Sequence, residues 1–518
     1  MRPLRTVLIA NRGEIALRVI RACRELGLRS IAVYSDADAG APHARAADVA
    51  VRIGPAPASE SYLRGDHLIE VAVAHGADAI HPGYGFLSER EWFARAVREA
   101  GLIWVGPPAE AIAAMGSKTA ARSLAIKAGT PVVPGTTTPL RDAAEAQTLA
   151  AEFGYPVLLK AAAGGGGKGM RVVREPGEVA GALESARREA RNAFGDDAVY
   201  LEKFIEGPRH VEIQVLADAH GTCVALGERE CSIQRRHQKM IEEAPSVAVT
   251  PELRARMGAA AVAAAQAAGY VNAGTCEFLL DRHGAFYFLE MNTRIQVEHP
   301  VTELVTGLDL VQWQLRIAAG ERLPFTEAPA PRGWAIECRI TSEDPASGFL
   351  PSTGRVTRLE LPTGPGVRWD GGIDVGSTVG LHYDPMLAKL IVHAPTRADA
   401  IARMRRALDD LLIDGVATSA VFHRRLMDDP AYQAGDVDIQ WLEGRLPALL
   451  ADTPDAVTTR RIAVAAALLA ARERSGVVSA HRRLAESAPA DVVPNAVAAV
   501  DGGAAWWQAA RRDGLGGL

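Results

Sequence analysis

Two glutamates, Glu277 and Glu290, sit in the stretch CEFLLDRHGAFYFLEMNTR that runs from Cys276 to Arg294. Apolar runs flank His283-Gly284, and a glycine in second place suits a tight hairpin turn. If those two residues form the loop, Arg282 pairs with Ala285 and the register brings Glu277 opposite Glu290; a four-residue loop centred at the same place preserves this pairing. Their Cβ atoms then lie about 4.5 to 5.5 Å apart on one face, where like charges repel. The pair needs a proton or a cation, unless it is exposed and water holds it apart. The neighbours favour a cation. Glu290, Asn292, Arg294, Gln296 and Glu298 fall at every second position, and Leu289, Met291, Ile295 and Val297 take the other face. An extended chain would present two acidic oxygen ligands, an amide, a guanidinium and a further acid together, which suits magnesium bound along with nucleotide phosphates.

A glycine run, AGGGGKGM from Ala163 to Met170, offers a second phosphate-directed feature. It contains G-x-G-x-x-G at Gly164, Gly166 and Gly169, but MRVVR after it reads as a strand, where a dinucleotide fingerprint needs a helix. A Walker A loop needs Ser or Thr after the lysine, and Gly169 stands there. What remains is strand, glycine turn and strand, a hairpin whose bare amides can close over phosphates as glycine-rich loops do in kinases. Its plain alternative is a flexible hairpin. Lys160, just before the turn, and Lys118 could reach such phosphates, although lone lysines are usually solvated surface.

The elements that must position these groups begin with a βαβ unit: a strand at Thr6 to Ala10, a helix from Glu14 to Leu26 and a strand at Ser30 to Tyr34. Further strands at Ala79 to His81 and Ile103 to Val105 extend an α/β domain to about Met115. From Val199 to Asp218 and from Gly274 to Arg294, period-two alternation indicates an antiparallel sheet. Alternating strands resume near Trp334 and end in a helix from Thr396 to Leu412; beyond about Leu450 the chain is Ala-rich, helical, and then Gly-rich.

The 518 residues, 48% hydrophobic and 23% charged, suit a globular chain of three or four domains. With 57 basic and 62 acidic side chains the net charge is -5, so no chain-wide basic field exists and nucleic acid is not an expected partner. Five scattered cysteines without a C-x-x-C pair suit a reducing compartment, and the expected location is the cytoplasm. The amino terminus lacks a secretory pattern. The longest smooth apolar run, Ile462 to Ala471, is about half of the roughly 20 residues a membrane helix needs, so no membrane partner is expected.

Several long motifs occur in order: ANRGEIALRVIRACRELG, HPGYGFLSE, KAAAGGGGKGM, EKFIEGPRHVEIQ, ERECSIQRRHQK, EFLLD, FLEMNTRIQVEHPVTE, ECRITSEDP and YDPMLAKLIV. With them the sequence, over about Met1 to Leu450, resembles the biotin carboxylase component of the biotin-dependent acyl-CoA carboxylases, the N-terminal part of an α subunit, in the ATP-grasp superfamily. The resemblance implies an α/β and α+β multidomain fold. Its parts would be a Rossmann-like N-terminal domain over 1–115, an ATP-grasp domain over 116–330 with a glycine-rich lid at about 131–205, and a mixed-sheet C-terminal domain over 331–450. An Ala-rich linker or the start of a docking region would follow over 451–518.

The activity so implied is ATP-dependent carboxylation of carrier-bound biotin by bicarbonate through carboxyphosphate. By matching motifs, Lys118, Lys160 and His210 would contact ATP, with Gly166 and Gly167 over its phosphates, Glu202, Lys203, Phe204 and Ile205 beside the adenine, and His237 also in the nucleotide site. Glu277, Glu290 and Asn292 would hold magnesium or manganese. Arg294, Lys239 and the Val297 backbone would hold bicarbonate, Glu298 would act as general base, and Arg339 would stabilise the biotin enolate. Implied partners are a biotin carboxyl carrier domain or protein, a carboxyltransferase subunit and a second copy of the chain. No Ala/Val-Met-Lys-Met turn occurs, so biotin is expected on a separate protein or on a continuation of this subunit. The final acceptor, acetyl-, propionyl- or 3-methylcrotonyl-CoA, belongs to the carboxyltransferase.

Plainer readings compete. RRHQK at 235–239 alone could be a solvated basic run, Cys231 reads as a packed residue because no step needs a thiol, and Asp36 and Asp38 imitate a ribose clamp without the glycines that belong with it. The rival functions are another ATP-grasp ligase, such as a carbamoyl phosphate synthetase, and a non-catalytic nucleotide-binding scaffold.

Overall fold

A computed structural model of the chain describes residues 4–161, 170–194 and 197–451, with residues 460, 463–465 and 467–468. The N-terminal strand Thr6–Ile9 is buried along its whole length because apolar layers cover both of its faces. Val7 and Ile9 meet Ile15 and Val19 of the helix Gly13–Glu25, whereas Leu8 packs with Leu68 and Val71 of the helix Gly65–Ala74. This is the sequence signature of a parallel strand. Five parallel strands stand in the order Val49–Gly54, Arg29–Ser35, Thr6–Ile9, Ala79–His81, Ile103–Trp104. Of these, Val49–Gly54 alone escapes the sequence reading; it is an edge strand with exposed Ala50 and Arg52, so its apolar run is broken. The order reverses between Thr6–Ile9 and Ala79–His81, and a crevice opens beyond the carboxyl ends of strands at such a point.

Eight antiparallel strands form the larger sheet, in the order Phe286–Asn292, Asn272–Leu280, Arg209–Ala217, Cys223–Arg235, Gln238–Ala244, Trp334–Thr341, Met386–Ala394, Val367–Gly371. Along Arg209–Ala217, Val211, Ile213 and Val215 pack against Met257 and Ala261 of the helix Pro251–Ala267. Their alternates His210, Glu212 and Gln214 occupy the other face and are also buried. Polar groups on a covered face need partners, and they mark where the site must lie. The sheet is continuous from Gln238–Ala244 to Trp334–Thr341, with Glu242 paired to Glu337, so it runs across residue 330.

A third, three-stranded sheet joins Met170–Val173, Val157–Ala161 and Val199–Lys203, backed by the helices Ala143–Phe153 and Val179–Phe194. Lys160 pairs with Met170, so the glycine run does link two antiparallel strands. Gly166 and Gly167 lie outside the described residues. The alternation read as continuous from Val199 to Asp218 is two strands: the chain leaves the three-stranded sheet after Lys203, turns through Gly207 at φ +51° and enters the large sheet at Arg209. The expected helix from Thr396 is Arg397–Asp410.

The chain divides into two units, Met1–Leu446 and Pro447–Leu518. The expected linker or docking region lies largely outside the described residues. Among the described residues no helix is long and apolar enough to cross a membrane.

Candidate active site

The carboxylate hairpin closes differently from expectation, yet its two acids still meet. Asp281 faces Ala285 across a three-residue loop, with Gly284 at φ +81°. Leu280 therefore pairs with Phe286 and Phe278 with Phe288, one position off the expected register. An extra residue at Leu289 then shifts the ladder back, so that Glu277 pairs with Glu290 and Thr275 with Asn292. This β-bulge also corrects the reading of faces: Leu289 is 39% exposed instead of packed beneath the sheet with Phe288 and Met291. The strand ends at Asn292, so Arg294, Gln296 and Glu298 are not on an extended chain. They reach the same site from an irregular segment that leads into the helix His299–Thr306.

A cavity of about 950 Å³ opens over this face, within the range of small-molecule sites. The parallel sheet supplies one wall through the turns after Ile9 and His81. There Asn11 donates to the carbonyls of Pro82 and Tyr84, both at 2.7 Å, and holds the ANRGE and HPGYG motifs together. Lys160 and Glu202 line it from the three-stranded sheet, 3.5 Å apart, with Arg122 beside them. His237 borders it from the turn between Arg235 and Gln238, where Arg236 and His237 have φ values of +49° and +64°. Two non-glycine residues with positive φ are a strained turn, and strain of this kind gathers at functional sites.

Lys239 organises the floor. Its ammonium lies 2.6 Å from Glu212, 2.8 Å from Glu277 and 2.8 Å from Glu298, so three buried carboxylates share one cation. Glu277 also accepts from Asn292 at 2.9 Å and Gln296 at 3.0 Å, and His210 Nε2 lies 3.1 Å from its other oxygen. Burial pushes the Glu277 carboxyl up, but Lys239 and His210 outweigh it and hold the group well below the usual range. Burial likewise raises Glu298, and Lys239, Arg339 and Arg229 overcome it, so Glu298 is a carboxylate. Arg339 joins the network at 3.0 Å from Glu298 and 2.6 Å from Glu242. Arg294 reaches Glu89 at 3.0 Å and Asn292 at 3.1 Å. The Val297 carbonyl accepts from the fully buried Lys389 at 3.0 Å.

Of the residues singled out in the sequence, Lys160, Glu202, His210, His237, Lys239, Glu277, Glu290, Asn292, Arg294, Val297 and Arg339 line this cavity, and Glu298 lies directly beneath it through Lys239 and Arg339. Lys203, Phe204 and Ile205 do not line it. The Lys203 ammonium donates to the carbonyls of Gly154 and Tyr155, and the amides of Lys203 and Phe204 donate to Pro134 and Pro156. Lys118 opens the helix Lys118–Lys127, and its side chain lies outside the described residues. Cys231 is fully buried and burial pushes its thiol far up, so it is a packed residue and no nucleophile.

Sequence reasoning missed Glu212, Arg229, Glu89, Glu242 and Lys389. Glu212 had a signal, a lone acid between Val211 and Ile213 on an alternating strand; Glu89 had none, because its partner Arg294 is 205 positions away. Arg229, fully buried, anchors Glu212 and donates to Gln214 at 2.7 Å and Thr302 at 3.0 Å.

Two close groups of ligand-type side chains occur among the described residues, His210-Glu212-Glu277 and Glu212-Cys231-Glu298. The Lys239 ammonium already touches all three of their acids, which argues against a metal there. The cavity-facing combination of Glu277, Glu290 and Asn292 offers oxygen ligands of the kind magnesium prefers, on adjacent strands and with Glu290 exposed.

Family models cover nearly all of the first unit: "Biotin carboxylase, N-terminal domain" over residues 3–112, "Carbamoyl-phosphate synthase L chain, ATP binding domain" over 117–326 and "Biotin carboxylase C-terminal domain" over 337–444. Biotin carboxylase from Haemophilus influenzae is 51% identical over 445 residues, 86% of this chain and 99% of that protein. The chain belongs to the biotin carboxylases. The family likeness extends to larger subunits: the propionyl-CoA carboxylase alpha chain of Ruegeria pomeroyi is 48% identical over 89% of this chain and 71% of its own. Among solved structures, the biotin carboxylase domain dimer of the Hydrogenobacter thermophilus 2-oxoglutarate carboxylase, in complex with MgADP, ADP and bicarbonate, superposes with a TM-score of 0.80 at 46% identity, covering 88% of this chain and all of that one. The names of these two relatives thus point to different final acceptors, an acyl-CoA and a 2-oxo acid.

Proposed function

We propose that this chain carries out the first half-reaction of a biotin-dependent carboxylase, using ATP and bicarbonate to carboxylate biotin held on a carrier domain or protein. The supporting observation is the floor of the cavity, where Lys239 gathers Glu212, Glu277 and Glu298 and Arg339 closes on Glu298 from the other side. Bicarbonate would lie against Lys239, Arg294 and the Val297 backbone. Glu298, kept ionised, accepts its proton, and the freed oxygen attacks the γ-phosphorus as ADP leaves. An anion on Lys239 shares the charge that otherwise weakens Glu298 as a base, so substrate binding itself strengthens the acceptor.

Arg294 opposes charge that develops on the transferring phosphoryl group. Lys118, Lys160, His210 and His237, with Gly166 and Gly167, would hold the nucleotide, and Glu202 would border its base. Magnesium held by Glu277, Glu290 and Asn292 would neutralise phosphate charge. Carboxyphosphate then yields carbon dioxide and phosphate; the phosphate takes the ureido N–H proton of biotin, Arg339 stabilises the oxyanion so formed, and the freed nitrogen attacks the carbon of carbon dioxide. The carrier, a carboxyltransferase subunit that sets the final acceptor and a second copy of the chain are the proposed partners, and the cytoplasm is the proposed location.

The test uses purified chain with MgATP, labelled bicarbonate and free biotin. Acid-labile carboxybiotin should form in proportion to phosphate released, and Glu298→Gln should lower its rate at least about 100-fold. Phosphate release indifferent to bicarbonate and to that substitution would refute the reading.

A further inference from the structure

Behind Arg339 lies a feature that the reaction above does not use. Glu242 and Glu337 are directly paired across the ladder between Gln238–Ala244 and Trp334–Thr341. Both are fully buried. Paired residues of adjacent strands put their side chains on the same face with Cβ atoms about 5 Å apart. One Glu242 oxygen accepts from Arg339 Nε at 2.6 Å; the other, and both oxygens of Glu337, are buried without a hydrogen-bond partner among the described residues. Two neighbouring desolvated carboxylates, with a hydrogen bond from a cation to Glu242 and none to Glu337 among the described residues, cannot both stay ionised.

We propose that Glu242 and Glu337 share a single proton, held on Glu337, and act as a positioning pair that fixes the orientation and charge of Arg339 for the biotin oxyanion. This deepens the carboxylase reading and rests on it. Glu242 is the member that keeps its charge, because it grips the Nε edge of the guanidinium while Glu298 takes a terminal nitrogen at 3.0 Å. A proton on Glu337 supplies the donor it otherwise lacks, and the unused oxygen of Glu242 is the acceptor on the paired residue.

The backbone beneath is fixed too, for the Arg339 carbonyl accepts from Ser419 at 2.9 Å and lies 2.7 Å from His423 Nε2. Arg339 thus reaches the cavity from a clamp on both its side chain and its main chain, and needs no reorganisation when negative charge appears on the substrate.

The groups that face the pair are Lys239 from its own hairpin, Arg339 from the next strand, Lys389 from the strand Met386–Ala394 and Glu298 before the helix His299–Thr306. Burial raises Glu337 far above the usual carboxyl range, with Glu242 and Glu298 adding to it against Lys389 and Arg339. Burial lifts Glu242 to about 7, opposed by Arg339.

Difference infrared spectroscopy between the full wild-type chain and Glu337→Gln at pH 8 tests the shared proton without any turnover. A protonated-carboxyl C=O band present in the wild type and missing from Glu337→Gln is the expected result; no difference in that region would overturn the proposal. In a second measurement Glu242→Gln should lower biotin-dependent turnover about tenfold or more with MgATP affinity by calorimetry held within about twofold. Turnover within about twofold of wild type would overturn the positioning role. A chain that carboxylates no biotin would refute the functional reading, and the infrared band would still decide whether the pair holds a proton.

Discussion

Lys239 shows how much a single side chain carries here, since three buried acids close on its ammonium within 2.8 Å. Replacing it with methionine leaves those acids buried with their central cation gone. The expected cost is about 3 to 5 kcal/mol of unfolding free energy at neutral pH, read from denaturant melts. The pH dependence has a definite sign. Glu277 and Glu298 have folded-state pKa values below their unfolded ones, so their stabilisation is present above the unfolded values and is lost as pH falls through the folded ones. The gap between Lys239→Met and wild type should therefore narrow toward acid pH. A second residue-scale expectation concerns Glu290, the exposed member of the acid pair: Glu290→Gln should raise the magnesium concentration for half-maximal turnover about tenfold or more, because only one charged ligand remains.

At the scale of elements, glycines separate turns that merely close from turns that hold the site. Gly284, at φ +81° in the hairpin loop, has open space where a Cβ would go. Gly284→Ala should cost about 1 to 2 kcal/mol and leave turnover near wild type. Gly83, at φ +64°, would place a Cβ 2.9 Å from Asn11 Nδ2, which ties the two N-terminal turns together. Gly83→Ala should therefore lower turnover as well as stability, measured by melts and phosphate release on the same samples. The hairpin also indicates what a sequence can reveal. The opposition of Glu277 and Glu290 was legible because period-two alternation and a turn signal lie within fifteen residues of each other. The three-residue loop and the bulge at Leu289 were not, because two one-residue shifts cancel at the acids and leave no trace in the pattern beyond them. Glu89, from a turn, and Lys389, from a strand, enter through tertiary packing of remote segments, which no local spacing reports. The roles proposed for the lysines and arginines rest on family resemblance alone, since a lone cation has no periodicity.

Across the whole molecule, three imidazoles report on acid stability together. His43, His81 and His423 are buried in separate parts of the first unit, and burial brings each down to about 4. The unfolded chain takes up these protons below about pH 6.5 and the folded chain only near 4, so stability falls as pH drops through that window. At pH 5 each should cost about 2 kcal/mol relative to pH 7.5, and His81→Gln should flatten part of the slope in denaturant melts. The larger assembly of function is the crevice itself: the parallel sheet gives one wall, the eight-stranded sheet gives the charged floor, and the two meet over Asn292 and Arg294. The account stands on attack by a bicarbonate oxygen on the γ-phosphorus over that floor. Turnover in bicarbonate labelled with heavy oxygen tests this most directly, with the released phosphate weighed by mass spectrometry. The account predicts one heavy oxygen in each phosphate formed; phosphate without heavy oxygen, its fourth oxygen taken from water, would contradict it.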